Sequence, residues 1–213
     1  MKITVLCSSK NHPVNAYLEK WIRNMDPENS VDLIRSKNDL TSGNILFLIS
    51  SEEIVSLEDR NRYNKTLVIH ASDLPLGRGW SPHIWQILEG ASSITVSLLE
   101  AEDLVDSGDI WKKVVVQIPS SALWNEINDI IFEAELELMD FAIQQFDLVV
   151  PRPQDATKTP TYFRRRVPED SELDVKRSIE DQFDQIRVCD PDRFPAFFDL
   201  HGERYLIRLE KKK

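Results

Sequence analysis

The run Ile45-Leu46-Phe47-Leu48-Ile49 constrains the fold most, because five consecutive apolar residues leave a strand no polar face. Such a strand must be covered on both sides, which is the situation of a central strand in a parallel sheet. Two further runs resemble it, Ile3 to Cys7, interrupted by Thr4, and the shorter Leu67-Val68-Ile69. Between the first two lie Val14, Tyr17, Leu18, Trp21, Ile22 and Met25 at helical spacing. Asn11-His12-Pro13 opens that helix and Pro27 ends it. Strand, helix, strand in this order predicts an α/β fold, a Rossmann-like and mostly parallel sheet with helices on both faces.

Composition agrees with a packed domain: 41% of the 213 residues are hydrophobic and 29% charged, so disorder is disfavoured. The net charge of -10 repels polyphosphate and argues against a nucleic-acid partner. No apolar run approaches the ~18 residues of a membrane span, and the N-terminal run is read as a strand rather than a leader, so a cytoplasmic protein is expected. Cys7 and Cys189 have no metal-ligand spacing, Cys7 reads as a core residue, and no metal is expected.

A second helix is predicted after Ser81 as cap and Pro82 in its first turn, with Gly90 as its stop and Ile84, Trp85, Ile87 and Leu88 on its buried face. Strands follow at 94–99 and 114–118, then a long helix over 122–145 with the stripe Leu123, Ile127, Ile130, Ile131, Ala134, Leu138 and Phe141. Its Glu126, Glu133 and Glu137 read as a solvated face. Beyond Val150, the prolines 151, 153 and 160 suggest an extended linker. A short helix over 178–186, with Ser178 and Asp181 as a capping pair, and a β-hairpin around His201-Gly202 complete the chain. Residues 1–150 are therefore expected to form the main domain and 151–213 an extension ending in the hairpin, with Lys211-Lys212-Lys213 as a solvated end.

The chemistry is expected in two loops. The first, from His70 to Pro82, follows a buried strand, precedes a helix and holds Gly77 and Gly79, two of only six glycines. Ligands bind at such strand ends in open α/β sheets, and His70 is placed one residue past the strand. The second is Glu102-Asp103-Leu104-Val105-Asp106-Ser107-Gly108-Asp109-Ile110. An Asp-x-Gly is ordinarily only a turn, but a carboxylate brought beside an imidazole can steer its proton.

His70, Ser72, Leu74, Pro75, Gly79, Pro82, Trp85 and Gly90, followed by Asp106-Ser107-Gly108-Asp109-Ile110, resemble the formyltransferases that use 10-formyltetrahydrofolate. Weaker similarity extends over most of residues 1–150. The resemblance implies a catalytic formyltransferase domain there, with 10-formyltetrahydrofolate as co-substrate. It implies His70 as oxyanion donor and proton carrier, and Asp106 as its orienter and proton acceptor. By the same resemblance the backbone at Glu53, Ile54 and Val55 and the loop Glu102, Asp103, Leu104 and Val105 would hold the pterin. Ser72, Asp73, Arg78, Gly79 and Trp80 would meet the amine substrate. One position departs from the family: the Asn expected two residues before the His is Val68, which has no hydrogen bond to donate. Asn64, Ser72 and Asn125 are the candidate replacements, and a non-catalytic folate- or nucleotide-binding protein stays open.

Among acceptors, the tail from Tyr162 to Leu209 looks most like that of the sugar-nucleotide N-formyltransferases, in particular the type acting on a UDP-linked 4-amino-4,6-dideoxy hexosamine on the pseudaminic-acid side of surface glycan synthesis. Arg78, Arg164, Arg165, Arg166, Arg177 and Arg187 are then candidates for gripping a pyrophosphate, and Trp80 and Tyr162 for stacking. The alternative is glycinamide ribonucleotide formylation, for which the loop Ser8-Ser9-Lys10-Asn11-His12 lacks the usual glycines. The terminal hairpin offers an edge through which a homodimer could form.

Overall fold

The computed structural model describes residues 1–212. In chain order its elements are β1 (Lys2–Leu6), α1 (Val14–Arg23), β2 (Ser30–Ile34), β3 (Gly43–Leu48), α2 (Leu57–Arg60), β4 (Tyr63–His70), β5 (Arg78–Gly79), α3 (Pro82–Leu88), β6 (Ser93–Glu100), β7 (Ile110–Gln117), α4 (Trp124–Gln144), β8 (Tyr162–Phe163), α5 (Phe183–Arg187), β9 (Ala196–Leu200) and β10 (Glu203–Ile207). The central sheet has six strands in the order β2-β1-β3-β4-β6-β7. Strands β2, β1, β3 and β4 are mutually parallel, and β6 runs against both β4 and β7. Since β7 reverses again, β6 is the single strand opposed to the rest, and the sheet is mostly parallel as the alternating pattern requires.

Strand alternation sorts the core. Ile3, Val5, Ile45, Phe47, Leu67, Ile69, Val96 and Leu98 join Leu18 and Trp21 of α1 and Ile127, Ile131 and Leu138 of α4 in the main cluster. Leu6, Leu40, Leu46, Val55 and Tyr63 form a smaller one. The first cluster explains why α4 carries the longest apolar stripe. At ~25 cal/mol per Å², burial of a Leu or Ile there contributes about 2 kcal/mol.

Several boundaries differ from the sequence reading. The first helix ends at Arg23, before Pro27. Ser81 sits at the helix-start position of α3 but makes no side-chain cap, because its backbone is left-handed (φ 44°). Pro82 begins α3, and Gly90 follows it at φ 91°. The predicted helix over 178–186 is a 3-10 turn at Glu180–Gln182 running into α5, and Ser178 Oγ does accept from the Asp181 amide (3.1 Å). The stretch read as a free linker is tied down: Arg152 bridges to Ile110 in both directions, and β8 pairs in parallel with β5. Lys213, in the expected solvated end, lies outside the described residues.

Candidate active site

His70 is the last paired residue of β4, opposite Ser97, rather than one residue beyond the strand. The loop 101–109 between β6 and β7 folds back from Ala101, whose amide donates to Thr66 O, and delivers Asp106 to the imidazole. His70 Nδ1 stands 3.5 Å from Asp106 Oδ1, and both residues are buried. The other ring nitrogen, Nε2, lies 2.8 Å from Gly77 O. A carbonyl can only accept, so Nε2 carries a hydrogen and Nδ1 is left to take or give a proton in front of the carboxylate. Asp106 is itself aimed, since its Oδ2 accepts from the Gly79 amide (2.8 Å). One carboxylate oxygen is thereby fixed and the other faces the imidazole.

The same loops explain the glycines. A Cβ on Gly79 would lie 2.4 Å from Phe163 O, and the residue has φ 96°, so only glycine lets β8 pair there. A Cβ on Gly108 would lie 1.9 Å from Glu100 O. Gly108→Ala must therefore push the Asp106 loop off β6. Urea denaturation should show a loss of about 1–3 kcal/mol, the range for forced overpacking; an unchanged midpoint would show that Gly108 does not pack closely on Glu100.

The two loops expected to hold a pterin are joined by a residue that sequence reasoning missed. Arg60 donates from Nη1 to Val55 O (2.9 Å) and from Nη2 to Asp103 (2.6 Å). Ile54, Leu104 and Val105 in these loops are exposed. Glu53 turns its carboxylate back onto the Lys37 amide (2.5 Å) and the Ser36 hydroxyl, and Glu102 is exposed.

The residues expected to meet the amine are placed unevenly. Ser72 is buried, and its Oγ has no hydrogen-bond partner among the described residues. Asp73 is engaged by Lys113 (2.6 Å) and Lys158 (3.4 Å); partial burial opposes its charge, but the two ammonium groups outweigh that and hold its carboxyl below the usual range. Arg78 is buried and bonded to Tyr162 and Gln154. Trp80 is partly exposed under the Arg165 guanidinium, 4.6 Å from its ring.

The arginines expected to grip a pyrophosphate are all engaged within the chain. Arg164 pairs with Asp170 and Arg165 with Glu52. Arg166 donates to Asp170 O and Ser171, and Arg177 to Asp181 O. Arg187 is buried, paired with Asp184 and bonded to Pro119 O and Ala122 O, so it fastens the tail to the loop before α4.

Of the candidate replacements for the missing Asn, Asn125 is exposed on α4, and exposed Asn64 accepts from Asn44. Only Ser72 adjoins the site: its amide donates to His70 O (2.9 Å). Three further groups were not foreseen. Burial pushes the Glu135 carboxyl on α4 up to about 8. His83 falls to about 4 through burial and the charges of His12, His70 and Arg166, and His12 falls to about 4 through burial and Arg193. Among the described residues no cluster of His, Cys, Asp and Glu is suited to a metal ion, and no helix is long and apolar enough to cross a membrane.

No family model matches the chain. Methionyl-tRNA formyltransferase of Protochlamydia amoebophila is 28% identical over 149 residues, covering 68% of this chain and 46% of that protein. The chain thus spans about half the length of curated relatives it matches. Methionyl-tRNA formyltransferase from Clostridium thermocellum shares the fold with a TM-score of 0.80 at 23% identity, over 96% of this chain and 90% of that one. A 4-N formyltransferase from Francisella tularensis superposes with a TM-score of 0.75 at 18% identity, over 100% and 98% of the two chains. WlaRD, a sugar 3N-formyl transferase solved in the presence of dTDP and 5-N-formyl-THF, gives 0.67 at 17% identity, over 88% and 78%. The chain is thus similar in sequence to methionyl-tRNA formyltransferases and shares its fold with these tRNA and sugar formyltransferases, in keeping with the resemblance carried by the run from His70 to Ile110.

Proposed function

We propose that the chain transfers the formyl group of 10-formyltetrahydrofolate to the amine of a nucleotide-linked amino sugar, with residues 1–150 as the catalytic domain. The observation that carries the chemistry is the meeting of His70 Nδ1 and Asp106 Oδ1 at the end of β4. The amine nitrogen attacks the formyl carbon and forms a C–N bond. The carbonyl oxygen takes up the negative charge. His70, with Nε2–H held by Gly77 O, accepts the amine's proton on Nδ1, beside Asp106, and the positive charge of the imidazolium so formed stabilises the developing oxyanion. The carboxylate of Asp106 stabilises the imidazolium. The intermediate collapses as the C–N bond to the folate breaks, and the proton passes to the folate nitrogen. The two loops, residues 53–55 and 102–105, joined where Arg60 bonds Val55 O and the Asp103 carboxylate and exposing Ile54, Leu104 and Val105, are the surface we assign to the pterin.

For the acceptor, the coextensive fold of the 4-N formyltransferase and the likeness to a sugar 3N-formyl transferase support an amino sugar, and we take the UDP-linked 4-amino-4,6-dideoxy hexosamine as the first to try. The net charge of -10 disfavours a tRNA, although the sequence relatives are methionyl-tRNA formyltransferases. The test is a steady-state assay with 10-formyltetrahydrofolate against UDP- and dTDP-linked amino sugars, glycinamide ribonucleotide and methionyl-tRNA. Formylation of an amino sugar is expected. Turnover of the ribonucleotide or the tRNA alone would reject the sugar. Folate binding without turnover of any amine would reject catalysis and favour the non-catalytic binding protein that Val68 leaves open.

A further inference from the structure

Within residues 152–160 every side chain is exposed except one, Gln154, which is half-buried. The Arg152 bridge to Ile110 sets this segment beside the start of β7, and the Gln154 amide reaches over the turn that carries Asp106. Its Nε2 donates to Asp106 O (2.8 Å) and to Gly108 O (3.0 Å). Its Oε1 accepts from Arg78 Nη2 (2.7 Å). Both amide hydrogens are used on carbonyls and the oxygen on a cation, so the network fixes which way the amide points. Arg78 is buried, and its other bond is to the neutral Tyr162 hydroxyl (3.2 Å). Its charge therefore bears on Gln154 Oε1 and polarises the amide toward stronger donation at Nε2.

This turn needs holding. Asp106 has φ 56°, a left-handed backbone that costs a non-glycine residue about 1 kcal/mol or more. Gln154 binds the carbonyl of that same residue, and Gly79, next to Arg78 in β5, binds its carboxylate. Backbone and side chain of Asp106 are thus gripped from one short strand, directly by Gly79 and through Arg78 and Gln154.

We propose that Gln154, held by Arg78, is a positioning residue that sets the Asp106 carboxylate against His70 Nδ1. What Asp106 is positioned for rests on the formyl-transfer reading; the positioning itself does not. The segment that looks like a linker is then part of the active centre.

The test uses the full chain with Gln154→Glu and Gln154→Ala. Glutamate keeps the size and the partner for Arg78 but cannot donate to two carbonyls. The first readout is amide hydrogen exchange. The Gly79 amide reports where the carboxylate is, because Asp106 Oδ2 is its acceptor. The Arg78 and Trp80 amides, bonded to Thr161 O (2.9 Å) and Phe163 O (3.1 Å), report on the β5–β8 pairing alone. In Gln154→Glu, Gly79 exchange should speed up by about tenfold while its two neighbours stay within about threefold. Unchanged Gly79 exchange would overturn the proposal. So would a rise in all three together with a falling Tm, the mark of a merely structural residue. The second readout is kinetic. kcat should fall by about 10- to 100-fold with the folate KM nearly constant, and Gln154→Glu should cost little more when Asp106→Asn is already present. If the wild type formylates no amine while Gly79 exchange still responds, positioning stands and the formyl-transfer reading fails.

Discussion

Replacing His70 with alanine is expected to lower kcat for formyl transfer by about 100- to 1000-fold, equivalent to about 3–4 kcal/mol of transition-state stabilisation. The ring has a partner at each nitrogen. Gly77 O fixes the hydrogen on Nε2, and Asp106 waits 3.5 Å from Nδ1. That distance is long for a hydrogen bond, so the carboxylate acts on the ring chiefly as a buried neighbouring charge. Alanine removes donor and proton carrier together, whereas exposed Ile54, Leu104 and Val105 are untouched, so the folate KM should change little. Asp106→Asn is the gentler companion: its carbonyl oxygen can still accept from the Gly79 amide, so the turn survives while the charge is lost. Its kcat should fall by about 100-fold, within the range of general acid–base effects. Stopped-flow or discontinuous assay of tetrahydrofolate release checks both. Turnover of His70→Ala near the wild-type value would remove the imidazole from the reaction.

The parts of the fold legible in the sequence were those in which burial leaves a local pattern. Ile45 to Ile49 and the stripe of α4 are buried as their periods require, with Leu48, Ile130 and Phe141 only half-buried. Strand β2 was not foreseen, because Ser30-Val31-Asp32-Leu33-Ile34 is an edge strand with half-exposed residues and no continuous apolar run. Helix α2 has four residues, too few to show a period. The pairing of His70 with Asp106 could be anticipated only because both sit in motifs that resemble a family. Arg60 and Gln154 sit in none, and their partners Asp103 and Arg78 lie far off in sequence. A cluster of arginines in the sequence says nothing of which carboxylates lie beside them, and here Glu52, Asp170 and Asp184 pair with arginines that were candidates for a pyrophosphate. A polar residue's use is set by tertiary neighbours, and those leave no local trace.

Glu135 is the sharpest case of such hidden chemistry, and Glu135→Gln should stabilise the protein by about 2.5 kcal/mol at pH 7 relative to the change seen at pH 5. The residue lies on α4 among Ile131, Phe132, Leu138 and Met139 of the same buried helix face, and its Oε2 has no hydrogen-bond partner among the described residues. Burial raises the carboxyl from 4.5 to about 8. Between those two values the unfolded chain has given up its proton and the folded chain has kept it. Raising the pH through this window therefore favours unfolding, by up to ~1.4 kcal/mol per pH unit for one group. Below pH 4.5 the contribution is fully present; above about 8 its loss is complete. Glutamine has nearly the same shape and no proton to lose, so the difference between variant and wild type should grow steadily from pH 5 to pH 8. His12 and His83 act in the opposite direction. Their folded values near 4 lie below the ordinary 6.5, so they cost stability only as the pH falls through that lower window. The wild type should thus be most stable at mildly acidic pH, and Glu135→Gln should move that optimum upward. Urea denaturation at pH 5, 6, 7 and 8 decides the matter: parallel stability curves for the two proteins would show that Glu135 is solvated or paired in solution and that its burial carries no such cost.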